Sequence, residues 1–271
     1  SGLLLHHQAK TLDSQFRIFQ EITCDQVRLD DAARAPADIA RVLGNCVRNS
    51  LPVYIEIPRD MVARPCAPVL REAPRAVDAD ALAACVDEIL GRLRAARAPV
   101  LMAGVEVRRF ALEDKVAELS RRLGIPVVTS FMGRGLLADH DAPLMGTYMG
   151  LAGLPEVSAL VEDSDGLFLL GVIISDTNFA VSGKHIDLRR TIQALEARVT
   201  MGYHTYADIP LDALVDGLLA RVAPAEAHFG VDRPAFPHGL LADEATIAPA
   251  DIACAVNDLM VAHGKLPIAS D

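Results

Sequence analysis

The stretch APVLMAGVEV, residues 98–107, holds one charged side chain in a run that is otherwise apolar or glycine. Without polar alternation, such a run reads as a strand covered on both faces, the usual condition of a strand in a parallel sheet. DGLFLLGV (165–172) repeats the pattern, and IPVVTS (125–130) and ARVTMG (197–202) are shorter versions. Between and around them the period changes to that of a helix. DADALAACVDEILGRLRAA opens on Asp78 or Asp80 as a cap, EDKVAELSRRLG (113–124) is ended by Gly124, and PEVSALVEDS (155–164) and LDALVDGLLARV (211–222) complete the set. Strands and helices in this alternation predict a doubly wound parallel α/β sheet.

The flanks read differently. SGLLLHHQ at the start is an apolar strand, and AKTLDSQFRIFQEIT is a helix with Phe16, Phe19 and Ile22 at helical spacing and Asp13 or Ser14 as its cap. APADIARVLGNCVRNS (35–50) is a second helix, with Pro36 at its first position, a stripe of Ile39, Val42 and Leu43, and a close at Asn49-Ser50. LPVYIEIP (51–58) is a strand. Strand, helix, helix and strand in this order are part of a parallel α/β layer. A proline-rich segment over 63–78 marks a boundary, and PAEAHFGVDRPAFPHGLLADEAT (224–246) is a second linker. After it, Pro249 starts a helix with Ile252, Val256 and Leu259, and KLPIASD reads as a strand. The expected division is 1–70, 76–223, a linker over 224–246, and 247–271.

Composition narrows the functions. The 271 residues carry a net charge of −10, with neither a basic block nor basic residues interleaved with aromatics, which argues against nucleic acid as a partner. No window approaches the apolar length of a membrane span. Five scattered cysteines without CxxC spacing suggest neither a disulfide frame nor zinc, and read as the reduced thiols of a cytoplasmic protein.

Chemistry can be placed at a few points. FMGRG (131–135) is glycine-rich but lacks the Lys-Ser/Thr of a phosphate loop, and no GxGxxG opens a helix. The glycines at the strand ends, Gly104, Gly133, Gly135 and Gly171, read as tight strand-to-helix turns. SDTNFA (175–180) follows a buried strand at its carboxyl end, where open α/β sheets bind ligands, so Asp176 and Asn178 would face that crevice or simply turn the chain. His204 and Asp208 in GYHTYADIP read as a hydrogen-bonded surface turn. His6 and His7 are adjacent, so at a strand end they point in opposite directions. One imidazole can reach a pocket to move protons near neutral pH while the other orients it, or the pair is structural.

Taken together, GLLLHHQ, FQEIT, PADIARVL, PVYIEIPRDMV, APVLMAGVEV, LGIPVVTSFMGRGLL, GTYMG, DGLFLLGVIISDTNF and the restart IAPADI resemble the thiamine-diphosphate-dependent 2-keto acid decarboxylases, most closely those acting on indolepyruvate and phenylpyruvate. The resemblance implies three α/β domains. Residues 1–70 would be the rear of a pyrimidine-binding domain, 76–223 a complete central domain, and 247–271 the start of a diphosphate-binding domain. It implies thiamine diphosphate and Mg²⁺ as cofactors and release of an aldehyde and CO₂ from an aromatic 2-keto acid. His6 and His7 would relay protons, with Asp176 near the cofactor's reactive end. The glutamate that activates the cofactor would precede Ser1, and the motif holding Mg²⁺ and diphosphate would follow Asp271. The main cofactor residues and all metal ligands are thus expected outside this chain, and the chain alone is expected to be inactive. A homodimer or homotetramer is implied when complete. An acetohydroxyacid-synthase-like carboligase and a non-catalytic nucleotide-binding module are the competing readings.

Overall fold

The computed structural model describes residues 11–70, 76–179, 181–184, 186–223, 236–241 and 243–269. The chain divides into two units, Ser1–Phe229 and Gly230–Asp271.

In the first unit, Ser14–Gln20 (α1) precedes the strand Asp25–Arg28 (β1). Ala35–Asn49 (α2) then crosses to Val53–Glu56 (β2), which pairs parallel to β1 with Asp25 opposite Val53 and Arg28 opposite Glu56. The described order is therefore helix, strand, helix, strand. Strand β1 escaped the sequence reading because DQVR offers only Val27 as an apolar residue. The expected first strand, SGLLLHHQ, lies outside the described residues. Asp13 takes the cap position of α1 without capping it, since its carboxylate pairs with Arg28 at 2.9 Å. Val42 is fully buried and packs with Val27, Leu29 and Ala35, while Ile39 lies against them. Leu43, expected in the same stripe, stays exposed: its side of α2 has no covering layer among the described residues. Ser50 ends α2 with a left-handed φ of 53°.

The central sheet begins with Ala79–Ala95 (α3), whose cap is Asp78: its carboxylate accepts the N–H groups of Asp80 and Ala81 at 2.9 and 3.0 Å. Pro99–Ala103 (β3) is buried at every position. The strand stops there, and Val105–Arg109 (α4) is already a helix, so the sequence reading of 98–107 as one strand overran by four residues. Glu113–Leu123 (α5) ends as expected on Gly124, at φ 66°. Val127–Thr129 (β4) and Leu144–Thr147 (β5) follow, then Pro155–Glu162 (α6) and Gly166–Leu170 (β6), again fully buried. The remaining elements are Asp176–Phe179 (α7), Ile192–Leu195 (β7), Arg198–Met201 (β8), His204–Ala207 (β9) and Leu211–Arg221 (α8).

These strands form one seven-stranded sheet in the order β5-β4-β3-β6-β7-β8-β9. The first five are parallel, while β8 and β9 are antiparallel. The doubly wound expectation holds, with two corrections at its edges. ARVTMG is an antiparallel strand, because Glu196 and Ala197, at φ 53° and 55°, reverse the chain in two residues. Such a turn normally advertises itself as Asn-Gly, and this one does not. GYHTYADIP contains strand β9 instead of a simple loop. Strands β5 and β7 were not foreseen: they are four residues each, and β5 is broken by Gly146.

Alternation within the buried strands builds two cores. Leu101, Ala103, Val127, Phe168 and Leu170 face the layer of α3, α5 and α8. Val100, Met102, Val128, Leu167 and Leu169 face the layer of α6 with Tyr148 and Val172. The amino ends of β3 and β6 are joined by Asp165, whose carboxylate accepts the N–H groups of Arg97 and Ala98 at 2.8–3.0 Å. Those hydrogen bonds hold its carboxyl below the ordinary range. Its contribution is therefore present above the unfolded pKa and lost as pH falls through the lower folded value. Asp165→Asn is expected to cost about 1 kcal/mol, a modest figure because the site is solvent-exposed. Thermal melts at pH 7 and pH 3 check this, since the difference from wild type should shrink at the acid end.

In the second unit, Pro249–His263 (α9) starts at the expected proline, and the Asp251 carboxylate accepts the Ala248 N–H at 2.7 Å. Asp258 accepts the Gly239 and Leu240 N–H groups, and Asn257 donates to the Pro237 carbonyl, so residues 237–240 lie against the helix. Ile252 and Leu259 remain exposed. Lys265–Ala269, expected as a strand, carries no strand pairing, since no neighbouring strand stands beside it among the described residues.

Candidate functional site at the carboxyl ends of the strands

Strand β3 sits mid-sheet, with β4 and β5 on one side and β6 and β7 on the other, so the topological switch point lies between β3 and β6. That is the crevice where open α/β sheets take ligands. Here the chain fills it. The Gly104 N–H donates to the Leu170 carbonyl at 2.8 Å and the Glu106 N–H to the Gly171 carbonyl at 3.2 Å. A Cβ at Gly104 would stand 2.1 Å from the Gly171 oxygen, and Gly171 itself adopts φ 67°. The two glycines thus make the tight turns expected of them and let the strand ends close on each other.

Glu106, 1% exposed, lies beneath this closure. Its carboxylate accepts the Glu196 N–H at 3.2 Å and so holds the two-residue β7–β8 turn. Burial pushes the Glu106 carboxyl above its ordinary range, and the Glu196 charge adds to that rise. The sequence carried a signal for this residue, a lone charge inside an apolar run, but read it as part of a strand.

The segment carrying Asp176 emerges beside the switch point. Asp176 begins α7 and is exposed, its carboxylate accepting the Thr177 N–H at 2.7 Å. Beside it, the Ser175 hydroxyl is buried without a hydrogen-bond partner among the described residues. Asn178, 2% exposed, does not face the crevice as expected. Its amide oxygen accepts the Met132 N–H at 3.1 Å and its amide nitrogen donates to the Ile173 carbonyl at 2.7 Å, tying the loops after β4 and β6 together. Nearby, the buried Tyr148 reaches Glu162 and Ser182, and burial pushes its phenol up to about 12. Nothing in the spacing of these three residues pointed to their meeting.

The two histidine readings have different outcomes. His204, expected in a hydrogen-bonded surface turn, lies on a strand with its Nδ1 2.9 Å from the Glu88 carboxylate, which also accepts from Tyr206 and Arg92. Four sequence positions separate His204 from Asp208, but β9 turns the imidazole toward α3. His6 and His7 lie outside the described residues.

A diphosphate asks for cationic or N–H donors, and its magnesium ion for several oxygen ligands. Asp176 and the Ser175 hydroxyl supply one carboxylate and one hydroxyl. Among the described residues no group of three or more His, Cys, Asp or Glu side chains could hold a metal ion. The described residues therefore do not fit the diphosphate end of a thiamine cofactor. Nor is any described helix long and apolar enough to cross a membrane.

A doubly wound α/β domain with a closed switch point and an exposed acidic residue beside it is the class that fold and geometry define. The chain belongs to the family described as the thiamine pyrophosphate enzyme central domain, whose model matches residues 86–221, from within α3 to the last residue of α8. It is 60% identical to an indole-3-pyruvate decarboxylase of Azospirillum brasilense over 269 residues, which is 99% of this chain and 49% of that protein. A pyruvate decarboxylase of Aspergillus terreus is 27% identical over 83% of this chain and 41% of its own length. Pyruvate decarboxylase isozyme 2 of Saccharomyces cerevisiae is 28% identical over 65% of this chain and 32% of its own length. The chain thus spans at most about half the length of these relatives.

Proposed function

We propose that this chain serves a thiamine-diphosphate-dependent decarboxylase that converts an aromatic 2-keto acid, indole-3-pyruvate or phenylpyruvate, to its aldehyde and CO₂. The observation that carries this reading is the 60% identity to an indole-3-pyruvate decarboxylase across 99% of the chain. The names of the more distant relatives, pyruvate decarboxylases, favour decarboxylation over carboligation. The filled switch point counts against a nucleotide-binding module.

When bound, thiamine diphosphate supplies the electron sink for loss of CO₂, with Mg²⁺ as the partner of its diphosphate. Both would be held by parts of the enzyme other than the residues described here. The chain's own contribution is the central domain, a rigid sheet that presents Asp176 at its carboxyl-end rim, and the His6–His7 pair for proton transfer near neutral pH. Residues 1–70, 76–223 and 247–271 would belong to the pyrimidine-binding, central and diphosphate-binding domains. A cytoplasmic homodimer or homotetramer completes the proposal.

The test is a decarboxylase assay of the whole enzyme with thiamine diphosphate and Mg²⁺ on indole-3-pyruvate, phenylpyruvate and pyruvate. The expected result is a kcat/KM for the aromatic acids at least about tenfold above that for pyruvate, a difference of about 1.4 kcal/mol in transition-state binding. A preference for pyruvate would overturn the substrate assignment, and absence of CO₂ release would overturn the reaction.

A further inference from the structure

The short helix that begins with Asp176 is followed by a segment fastened from outside, and the fastening converges on one carboxylate. Glu162, the last residue of α6, accepts the Gly183 N–H at 2.8 Å, the Lys184 N–H at 3.0 Å and the Tyr148 hydroxyl at 2.9 Å. Tyr148 is fully buried, and its oxygen is 2.6 Å from the Ser182 hydroxyl. The Ser182 hydroxyl has one proton and two acceptors in reach, the Tyr148 oxygen and, at 2.7 Å, the carbonyl of Phe179, the last residue of α7. With Tyr148 donating to Glu162 and the Ser182 hydroxyl donating to Tyr148, the Ser182 N–H holds the Phe179 carbonyl at 3.1 Å. An unbroken chain of hydrogen bonds therefore runs from Glu162 to the helix that starts with Asp176.

A second contact supports the same segment. The Leu151 N–H donates to the Val181 carbonyl at 2.8 Å, and a Cβ at Gly150 would stand 2.1 Å from that carbonyl oxygen. Ser158, on α6, donates its hydroxyl to the Gly150 carbonyl at 2.6 Å. Helix α6 thus reaches the segment by two routes, and Asn178, buried next to Phe179 in α7, ties the same helix to the loop after β4. Asp176 is left exposed on an anchored platform.

We infer that Glu162 is a positioning residue for Asp176, acting through Tyr148 and Ser182; the inference rests on the proposed role of Asp176 at the reacting end of the enzyme. A carboxylate suits the place because it offers only acceptors to three converging donors. A glutamine keeps the shape but sets an N–H against one of those donors, so Glu162→Gln releases part of the latch with little change in volume. Misplacement of a functional group by about 1 Å can cost on the order of a hundredfold in rate, and a partial release less.

The test is a double-mutant cycle in the whole enzyme assayed on indole-3-pyruvate, with hydrogen exchange read on the same proteins without cofactor. Glu162→Gln is expected to lower kcat by about tenfold with little change in KM, the signature of lost alignment in preference to lost binding. It should also speed exchange at the Gly183 and Lys184 amides. In an Asp176→Asn background the same change should alter kcat less than about twofold, because the group it positions is already disabled. A full tenfold loss in that background, or no loss in the wild-type background, overturns the inference. If Asp176→Asn alone leaves kcat unchanged, the assigned role of Asp176 fails, and the inference goes with it. Should Glu162→Gln fold poorly, Tyr148→Phe breaks the same chain at its second link and must show the same dependence on Asp176.

Discussion

Gly104→Ala is expected to cost at least about 4 kcal/mol, enough to lower the melting temperature of the central domain by about 10 °C or to prevent folding. The added methyl would lie 2.1 Å from the Gly171 carbonyl oxygen and 2.4 Å from both the Gly171 carbonyl carbon and the Val172 Cα. All three are backbone atoms of the neighbouring strand end, so no side-chain rotation relieves the clash. Relief would require separating the ends of β3 and β6, which would break the Gly104–Leu170 and Glu106–Gly171 hydrogen bonds. Gly91→Ala is the control. Gly91 lies inside α3 and is exposed, with nothing within 4 Å of the added carbon, so the same change should stabilise by about 0.5–1 kcal/mol. Thermal melts of the two variants should shift in opposite directions. A Gly104→Ala protein that melts like the wild type would show that the strand ends are not in contact.

Glu106 carries the second large effect, with two substitutions expected to differ in sign. Glu106→Ala takes the partner of the Glu196 N–H away and opens space beside Gly171, at a net cost of about 2 kcal/mol. Glu106→Gln keeps an oxygen for that N–H and removes a carboxyl whose charged form burial disfavours, so at pH values above the folded pKa it should stabilise by about 1 kcal/mol. The pH dependence follows from the raised carboxyl. The folded chain binds the Glu106 proton more tightly than the unfolded chain, whose value is near 4.5. Stability from this group is full below that value and is lost as pH rises through the folded pKa. Glu106→Gln should abolish that decline, and the two stability curves should converge toward pH 4. Parallel curves across that range would mean that Glu106 does not titrate in a buried setting.

The long elements of the central domain were legible because their environment is uniform. Strands β3 and β6 are covered on both faces, so every position had to be apolar, and the sequence shows it. Helices α3 and α5 announced their ends through Asp78 and Gly124, local devices that need no partner to be recognised. Strands β1, β5, β7 and β9 were hidden for the opposite reason. Each is four residues long, too short for its period to stand out. Strands β1 and β5 pair with strands that lie beyond an intervening helix or loop, while β7 and β9 flank β8 through tight turns. The β7–β8 reversal was hidden as well, because Glu196 and Ala197 hold a conformation their residue types do not advertise, supported by a carboxylate 90 residues away.

The site divides along the same line. The sequence alone determined that a doubly wound α/β layer occupies the middle of this chain, and that Asp176 follows a buried strand at its carboxyl end. Period, caps and apolar runs are properties of a few consecutive residues, and they survive in one dimension. Only the tertiary structure decided that the switch point is closed by Gly104 and Gly171, that Asn178 is a buried tie, and that Tyr148, Glu162 and Ser182 meet behind Asp176. Hydrogen bonds and close backbone contacts depend on distances of a few ångströms between residues 14 to 90 positions apart, and packing alone sets those distances.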